Sequence, residues 1–373
     1  MSDDGIFQEF TSFPALYTAY CEVSKGKAEK TDLLRFEYDL EGNLHSISDG
    51  LRAGNVPKVQ YKSFYVYIPK VRKVIYIDFP NKVIQRALYD AINPRLAKTF
   101  ISDTYACIPG RGQLAAMLRV KDWMAETRRR PGEWYYWKFD VAKFFYRIDH
   151  DVLMQIIRKK IRSPKTVDLL EYYICDTGEP FGIPICDNQL DVKDSDMIFD
   201  VGIPIGGGLS HTLGNLYLDP LDQFIKRDLG CHQYIRYMDD GLIFDNNKER
   251  LRDNGKRAEE FLNERLKLEF NKKTVLRPAR CGVEFVGCNI YDDHVRLRKS
   301  TTLHMKRALK KTMIDYNQGS ITFERANQTV QSYRATLKHV DMDKFNDSLW
   351  SWFVLTKGDL KEALANPAPP MRF

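Results

Sequence analysis

Apolar residues recur at helical spacing through positions 7–60, with Phe10, Leu16, Tyr17 and Tyr20 sharing one face and Leu33, Phe36 and Leu40 another. From 61 to 77 the spacing shortens to alternation: Phe64, Val66 and Ile68, then Val74-Ile75-Tyr76-Ile77, with Pro69-Lys70 and Arg72-Lys73 at the turn. That pattern predicts a β-hairpin. Helical spacing returns with Val83, Ile84, Ala87 and Leu88, the Pro109-Gly110 pair marks a turn within 107–112, and an Ala/Leu-rich helix follows. Residues 134–139 read as a compact aromatic strand ending at Asp140. Asp149 precedes the apolar set Leu153, Ile156 and Ile157. It is expected to cap a helix starting near Val152 rather than to join His150 and Asp151 around a metal.

The pattern breaks at 176–201. Phe181-Gly182-Ile183-Pro184-Ile185 is nearly repeated as Val201-Gly202-Ile203-Pro204-Ile205, with Asp187, Asp191, Asp194, Asp196 and Asp200 between the copies. These aspartates lack the frame of a calcium loop, which predicts a solvated insertion or hairpin. Gly206, Gly207 and Gly208 then let backbone approach a ligand closely. Ser210 is expected to cap a helix with Leu213, Leu216 and Tyr217 facing inward. The tail Asn366-Pro367-Ala368-Pro369-Pro370 cannot continue a helix.

Tyr237-Met238-Asp239-Asp240 sits between two β-type runs, Tyr234-Ile235-Arg236 and Leu242-Ile243-Phe244. A strand, a bend with paired carboxylates and a second strand present two acidic groups at one point. An antiparallel sheet would bring Asp140 beside them. Three carboxylates suit two Mg²⁺ ions, which take oxygen ligands and leave room for substrate phosphates. Phosphoryl transfer needs charge neutralisation more than covalent help.

Lys and Arg outnumber Asp and Glu by 57 to 50, giving +7 and a pI near 8.8, a balance that permits a polyanionic partner. The charge is concentrated at 296–311, which holds seven basic residues and no acid. Lys306/Lys310 and Arg307/Lys311 stand four apart, on shared helical faces suited to tracking phosphates. Seven cysteines without a C-x-x-C pair or zinc-spaced histidines point to reduced, mostly packed thiols and a cytoplasmic protein. The polar start Met1-Ser2-Asp3-Asp4 is unlike a signal peptide, and no apolar run approaches the ~20 residues that span a bilayer.

Taken in order, these motifs resemble the prokaryotic reverse transcriptases of the group II intron and diversity-generating retroelement lineages, over almost the whole chain. The Phe139-Asp140 strand with Phe144-Phe145 is similar to motif A, 202–210 to motif B, and 237–240 to motif C. Lys273-Thr274 is similar to the lysine-bearing motif D, and Phe285-Val286-Gly287 to the primer-grip motif E. Pro69-Lys70 with Arg72, and Pro109-Gly110-Arg111, are similar to the two fingers motifs. The implied fold is α+β, a right-hand polymerase: fingers over 1–133, a palm with an antiparallel sheet over 134–292 interrupted by the 176–201 insertion, and a helical thumb over 293–373.

The resemblance also implies roles. Asp140, Asp239 and Asp240, with the Val141 backbone carbonyl, would hold two Mg²⁺ or Mn²⁺ ions. Lys70, Arg72, Arg111, Phe145, Gly206 and Lys273 would meet the incoming dNTP. Phe145 occupies the bulky position that excludes a ribose 2′-OH, and Lys273 stands near the leaving pyrophosphate. Tyr237, Met238, Phe285, Gly287, Arg298, Lys299, Lys306 and Lys310 would contact primer and template. Two positions depart from the family: Ile108 stands where an Arg usually precedes the Pro-Gly turn, and His211 where mutagenic retroelements carry Gln.

The expected activity is RNA-directed DNA polymerisation making cDNA from a dedicated structured non-coding RNA, in anti-phage defence. A mutagenic retrohoming enzyme and a non-catalytic RNA-binding protein on a polymerase scaffold are the alternatives. About eighty residues follow motif E, enough for a thumb but not for an added nuclease domain, so partners in trans are expected: the RNA, an accessory protein or a second copy. No membrane partner is expected.

Overall fold

The computed structural model describes residues 4–26, 30–67, 71–175, 178–185, 191–204 and 208–357. Ile68, Pro69, Lys70, Asp187, Gly206 and the proline-rich tail lie outside that set. The described strands are β1 (Tyr61–Val66), β2 (Arg72–Ile77), β3 (Thr104–Tyr105), β4 (Tyr135–Asp140), β5 (Tyr234–Tyr237), β6 (Asp240–Asp245), β7 (Val275–Pro278), β8 (Val283–Phe285), β9 (Cys288–Ile290) and β10 (Val295–Leu297). With the surrounding helices they make a mixed α+β chain, which divides into two compact units.

The first unit comprises Met1–Gly112, Trp137–Phe244 and Glu249–Val275. It opens with helices Gly5–Phe10, Phe13–Ser24, Thr31–Glu37 and Leu40–Arg52. Ser12 accepts from the Ala15 N–H and Asp39 from that of Gly42, each closing a helix start. Phe10 and Leu16 are fully buried, but Tyr17 is exposed, so it does not share their inward face. β1 and β2 pair as the expected antiparallel hairpin. Arg72 and Lys73 belong to β2 rather than to the turn, because the pairing register runs out to Val66↔Arg72. The helix Phe79–Ala97 follows, burying Val83, Ile84, Ala87 and Leu88 as its spacing predicts.

A five-stranded sheet in the order β3-β5-β6-β4-β7 carries the palm-like centre. β5 and β6 are antiparallel and nearly all buried, which explains the apolar stretches Tyr234-Ile235 and Leu242-Ile243-Phe244 within them. The helix Gly208–Gln223 packs on Phe79–Ala97 and on His150–Lys160. The latter is capped by Asp149, whose side chain accepts from Val152 N–H at 3.0 Å, so the helix starts two residues earlier than expected. Ser210 is not a cap. Its hydroxyl donates backward to the Pro204 carbonyl at 2.7 Å.

The near-duplicated segments lie against each other. Gly182 exchanges backbone hydrogen bonds with Ile198, and Val201 bridges to Asp149. A side chain at Gly202 (φ +91°) would sit 2.7 Å from Gly182 N, and one at Gly182 would sit 2.4 Å from Val201 Cγ2. Both copies need glycine because their backbones touch, and Phe181, Ile183 and Ile203 bury beside the contact.

The second unit comprises Gln113–Tyr136, Asp245–Lys248 and Leu276–Phe373. Its antiparallel sheet β8-β9-β10 turns between β8 and β9 through Val286 (φ 41°) and Gly287 (φ 83°). The helices Lys299–Asn317, Phe323–Leu337 and Asp343–Trp350 complete it. Of the described cysteines, Cys107, Cys175 and Cys281 are exposed. The thiols are therefore not mostly packed. Cys107 and Cys175 fall in a loop and at a helix end, and Cys281 in a short 3-10 turn, none of them under a helix or strand face.

Candidate active site

The β5–β6 register pairs Tyr237 with Asp240, leaving Met238 and Asp239 as a two-residue turn. Met238 adopts φ 54°, a left-handed conformation that a side-chain-bearing residue takes only when its surroundings hold it there. β4 delivers Asp140 to this turn. The Val141 N–H donates to the Asp239 carbonyl at 3.3 Å, and Val141 bridges to Phe270 on its other side.

Asn271 fixes Asp140 from that side. Its backbone N–H donates to the Asp140 carbonyl at 2.6 Å, and its side-chain amide donates to Asp140 Oδ2 at 3.2 Å. Beneath the carboxylates lie Trp137, Phe139, Tyr234 and Phe270, with the Phe139 ring 4.6 Å from Phe270 and 4.8 Å from Trp137. Gly241 follows the acidic pair because a Cβ there would fall 2.0 Å from the Phe139 ring.

Burial, followed by the charges of Asp140 and Asp240, pushes the Asp239 carboxyl up to about 7. Asp140 also stands within hydrogen-bond reach of it. Asp240 has its Oδ1 3.8 Å from Lys138 Nζ and contributes its charge from the side. Such an excess of negative charge, all on oxygen, fits a hard divalent cation. Among the described residues no three His, Cys, Asp or Glu side chains are placed to enclose an ion unaided. Asp140 and Asp239, with Asp240 to the side, could therefore supply only part of the oxygen ligands such an ion takes.

Phe145, half-buried, stands edge-on to His211 at 5.7 Å, and its carbonyl accepts from the Ile203 N–H at 2.9 Å. A Cβ at Gly214 would meet the rings of Phe144 and Phe145 at 3.1 and 3.3 Å, so the helix Gly208–Gln223 seats both phenylalanines. Ile108 is buried and Arg111 Nη1 donates to the Ile101 carbonyl at 3.0 Å. Lys273 is exposed, with its backbone N–H on Asn271 Oδ1. Lys70 and Gly206 lie outside the described residues. A cavity of about 350 Å³ opens beside this region, walled by Tyr76, Lys82, Arg86, Tyr89 and Leu209.

In the second unit the expected contacts fare unevenly. Phe285 is fully buried, so its ring belongs to the core and cannot touch a primer. Gly287 is the turn residue beside it, and Gln113 Nε2 donates to the Val286 carbonyl at 2.5 Å. Arg298 pairs with Glu284 at 2.7 Å and Lys299 is exposed. Lys306 lies over the Phe345 ring and Lys310 over the Trp352 ring, at 5.3 and 5.9 Å, while Arg307 and Lys311 are exposed. Sequence reasoning missed Asn271, Lys138 and Arg236. Arg236, a charge inside an apolar strand, was the one visible signal among them.

A family model described as reverse transcriptase (RNA-dependent DNA polymerase) matches residues 56–290. Protein YkfC of Escherichia coli (strain K12) is 26% identical over 164 residues, 43% of this chain and 40% of that protein. The structure of apo telomerase from Candida tropicalis superposes with a TM-score of 0.51 at 13% identity, covering 82% of this chain and 66% of that one. Telomerase from Candida albicans in complex with a TWJ fragment of telomeric RNA gives 0.46 at 12% identity, covering 78% and 55%. The chain thus spans less than half of that Escherichia coli protein, and the likeness to the Candida tropicalis telomerase concerns the fold alone. Among the described residues no helix is long and apolar enough to cross a membrane.

Proposed function

The chain belongs to the reverse transcriptase (RNA-dependent DNA polymerase) family, and we propose that it is itself an RNA-directed DNA polymerase whose reaction centre is the Asp140–Asp239 pair. The observation that carries the reading is the backbone bond from the Val141 N–H to the Asp239 carbonyl at 3.3 Å, which ties the end of the Asp140 strand to the turn that bears Asp239. Asp140, Asp239 and the Val141 carbonyl would hold Mg²⁺, or Mn²⁺ in its place, with the charge of Asp240 alongside. Held there, the ions would lower the pKa of the primer 3′-hydroxyl and neutralise the pyrophosphate.

The chain's own groups do the remaining work. Asn271 keeps Asp140 facing the turn. Phe145, backed by His211, closes the space a 2′-hydroxyl would need and so selects dNTPs. Lys273 is placed in sequence to protonate the leaving pyrophosphate, a task suited to a flexible ammonium. By position in sequence, Arg111, Lys70, Arg72 and Gly206 would meet the incoming dNTP. The cavity beside Tyr76, Lys82 and Tyr89 combines cations with aromatic faces, as an unpaired template strand requires. Tyr237 and Met238 in the first unit, and Gly287, Lys299, Lys306 and Lys310 in the second, would each contact primer or template.

The template is a dedicated structured non-coding RNA and the product its cDNA, made in the bacterial cytoplasm in anti-phage defence. His211, in place of the retroelement glutamine, favours defence over mutagenic retrohoming. Purified protein given primed RNA, Mg²⁺ and either dNTPs or rNTPs should extend only with dNTPs. Extension with rNTPs alone, or with neither in the presence of the co-purified RNA, would contradict the reading. Sequencing that co-purified nucleic acid should return one RNA species rather than a random sample.

A further inference from the structure

Arg236 is the largest fully buried side chain among the described residues, and it stands two positions before the left-handed Met238. Its partners account for every N–H it has. Nε and Nη2 bond the two oxygens of Asp222 at 2.7 and 2.6 Å. Nη1 donates to Asn215 Oδ1 at 3.1 Å and to the Met238 carbonyl at 2.6 Å, and Nη2 reaches the Asn215 carbonyl at 3.3 Å. Asp222 is filled as completely, accepting also from Tyr234 Oη at 2.6 Å and Thr104 Oγ1 at 2.9 Å.

A buried ion pair is a poor device for stability alone, since well-packed apolar residues of the same volume serve as well or better. Here one arm of the guanidinium leaves the pair and takes the carbonyl of the turn residue next to Asp239. The same network continues through Asn215 Nδ2 to the carbonyl of Ala106, itself at φ 76°. Two strained backbone positions are thus tied to one buried fork.

We propose that Arg236, fixed by Asp222 and Asn215, is a positioning residue that holds Met238 in its left-handed conformation and thereby presents the Asp239 carboxylate beside Asp140. The inference rests on the function proposed above. Lysine at 236 would keep the positive charge opposite Asp222, but a single ammonium cannot reach Asp222, Asn215 and Met238 together.

The test is Arg236→Lys in the full chain. Mn²⁺ binding to the protein alone, followed by electron paramagnetic resonance, should weaken ~10–100-fold, the usual cost of losing a residue that orients a metal ligand. Single-nucleotide incorporation should slow by a similar factor and recover partly at high Mg²⁺, while primer–template affinity stays within about twofold. A folded Arg236→Lys protein with unchanged Mn²⁺ affinity and unchanged rate overturns the proposal. If that variant fails to fold, Asn215→Ser, which keeps the ion pair and removes one acceptor of Nη1, decides it by the same readouts. Should the unaltered protein extend no primer, the polymerase reading fails by itself, and the Mn²⁺ comparison still judges the role of Arg236.

Discussion

Asn271 holds Asp140 by both backbone and side chain, at 2.6 and 3.2 Å, so the first carboxylate is oriented from a loop distant in sequence. Replacing Asn271 by Ala should leave the fold intact, because the backbone bond survives, and lower incorporation ~10-fold while raising the Mg²⁺ concentration for half-maximal rate. Asn271→Asp should cost more, since it adds a like charge to Asp140. Rate against Mg²⁺ concentration for the two variants checks both statements, and an unchanged curve for Asn271→Asp contradicts them.

Asp239 carries a pH prediction. Its carboxyl is pushed up to about 7 in the folded chain, so without metal the folded state binds a proton that the unfolded state has released. Stability contributed by this group is present at low pH and is lost as pH rises from the ordinary carboxylate range through about 7. Metal-free Tm of the unaltered protein should therefore fall relative to that of Asp239→Asn across this window, with the variant ~2–6 °C the more stable at pH 8. Added Mg²⁺ should raise the Tm of the unaltered protein more at pH 8 than at pH 5.5. Parallel Tm–pH curves for the two proteins would count against the assignment.

The Phe145 ring, seated between His211 and Gly214, should set sugar selectivity. Phe145→Ala should reduce the ratio of dNTP to rNTP incorporation ~10–100-fold, mainly by admitting rNTPs. Competition between the two nucleotide classes on one primed template measures this directly. A ratio unchanged from the parent would remove Phe145 from the nucleotide site.

Gly202→Ala should destabilise by about 2 kcal/mol or more, because it combines a positive φ with a Cβ 2.7 Å from backbone at Gly182. Thermal melting reads this as a Tm loss of several degrees. A neutral substitution would mean that the packed glycine pair explains nothing about the repeated Gly-Ile-Pro segments.

Several of these features are legible in the chain before any folding is considered. Tyr234-Ile235 in β5 and Leu242-Ile243-Phe244 in β6 show as short apolar runs because central strands buried on both faces carry few polar residues, and Asp149 announces its helix by position. Asn271 does not show, because a polar loop residue has no local signature that distinguishes a solvated turn from a bond to a distant strand. Phe285 was expected at the primer, yet its burial is fixed by the β8–β9 pairing rather than by neighbouring residues. The partners of Arg236 are equally invisible: Asp222 and Asn215 lie on a separate helix, and only tertiary packing brings them to the strand.

The central claim is that Asp140 and Asp239 together form the centre of a DNA-synthesising reaction. Its most direct test is incorporation of a single dNTP onto a primed RNA template by the full chain, compared with Asp239→Asn and Asp140→Asn at matched primer–template occupancy. The unaltered protein should add the templated nucleotide, and each variant should lose at least ~1,000-fold in rate while binding the template as before. Equal extension by the unaltered protein and either variant would show that the chemistry, if any, resides elsewhere in the chain.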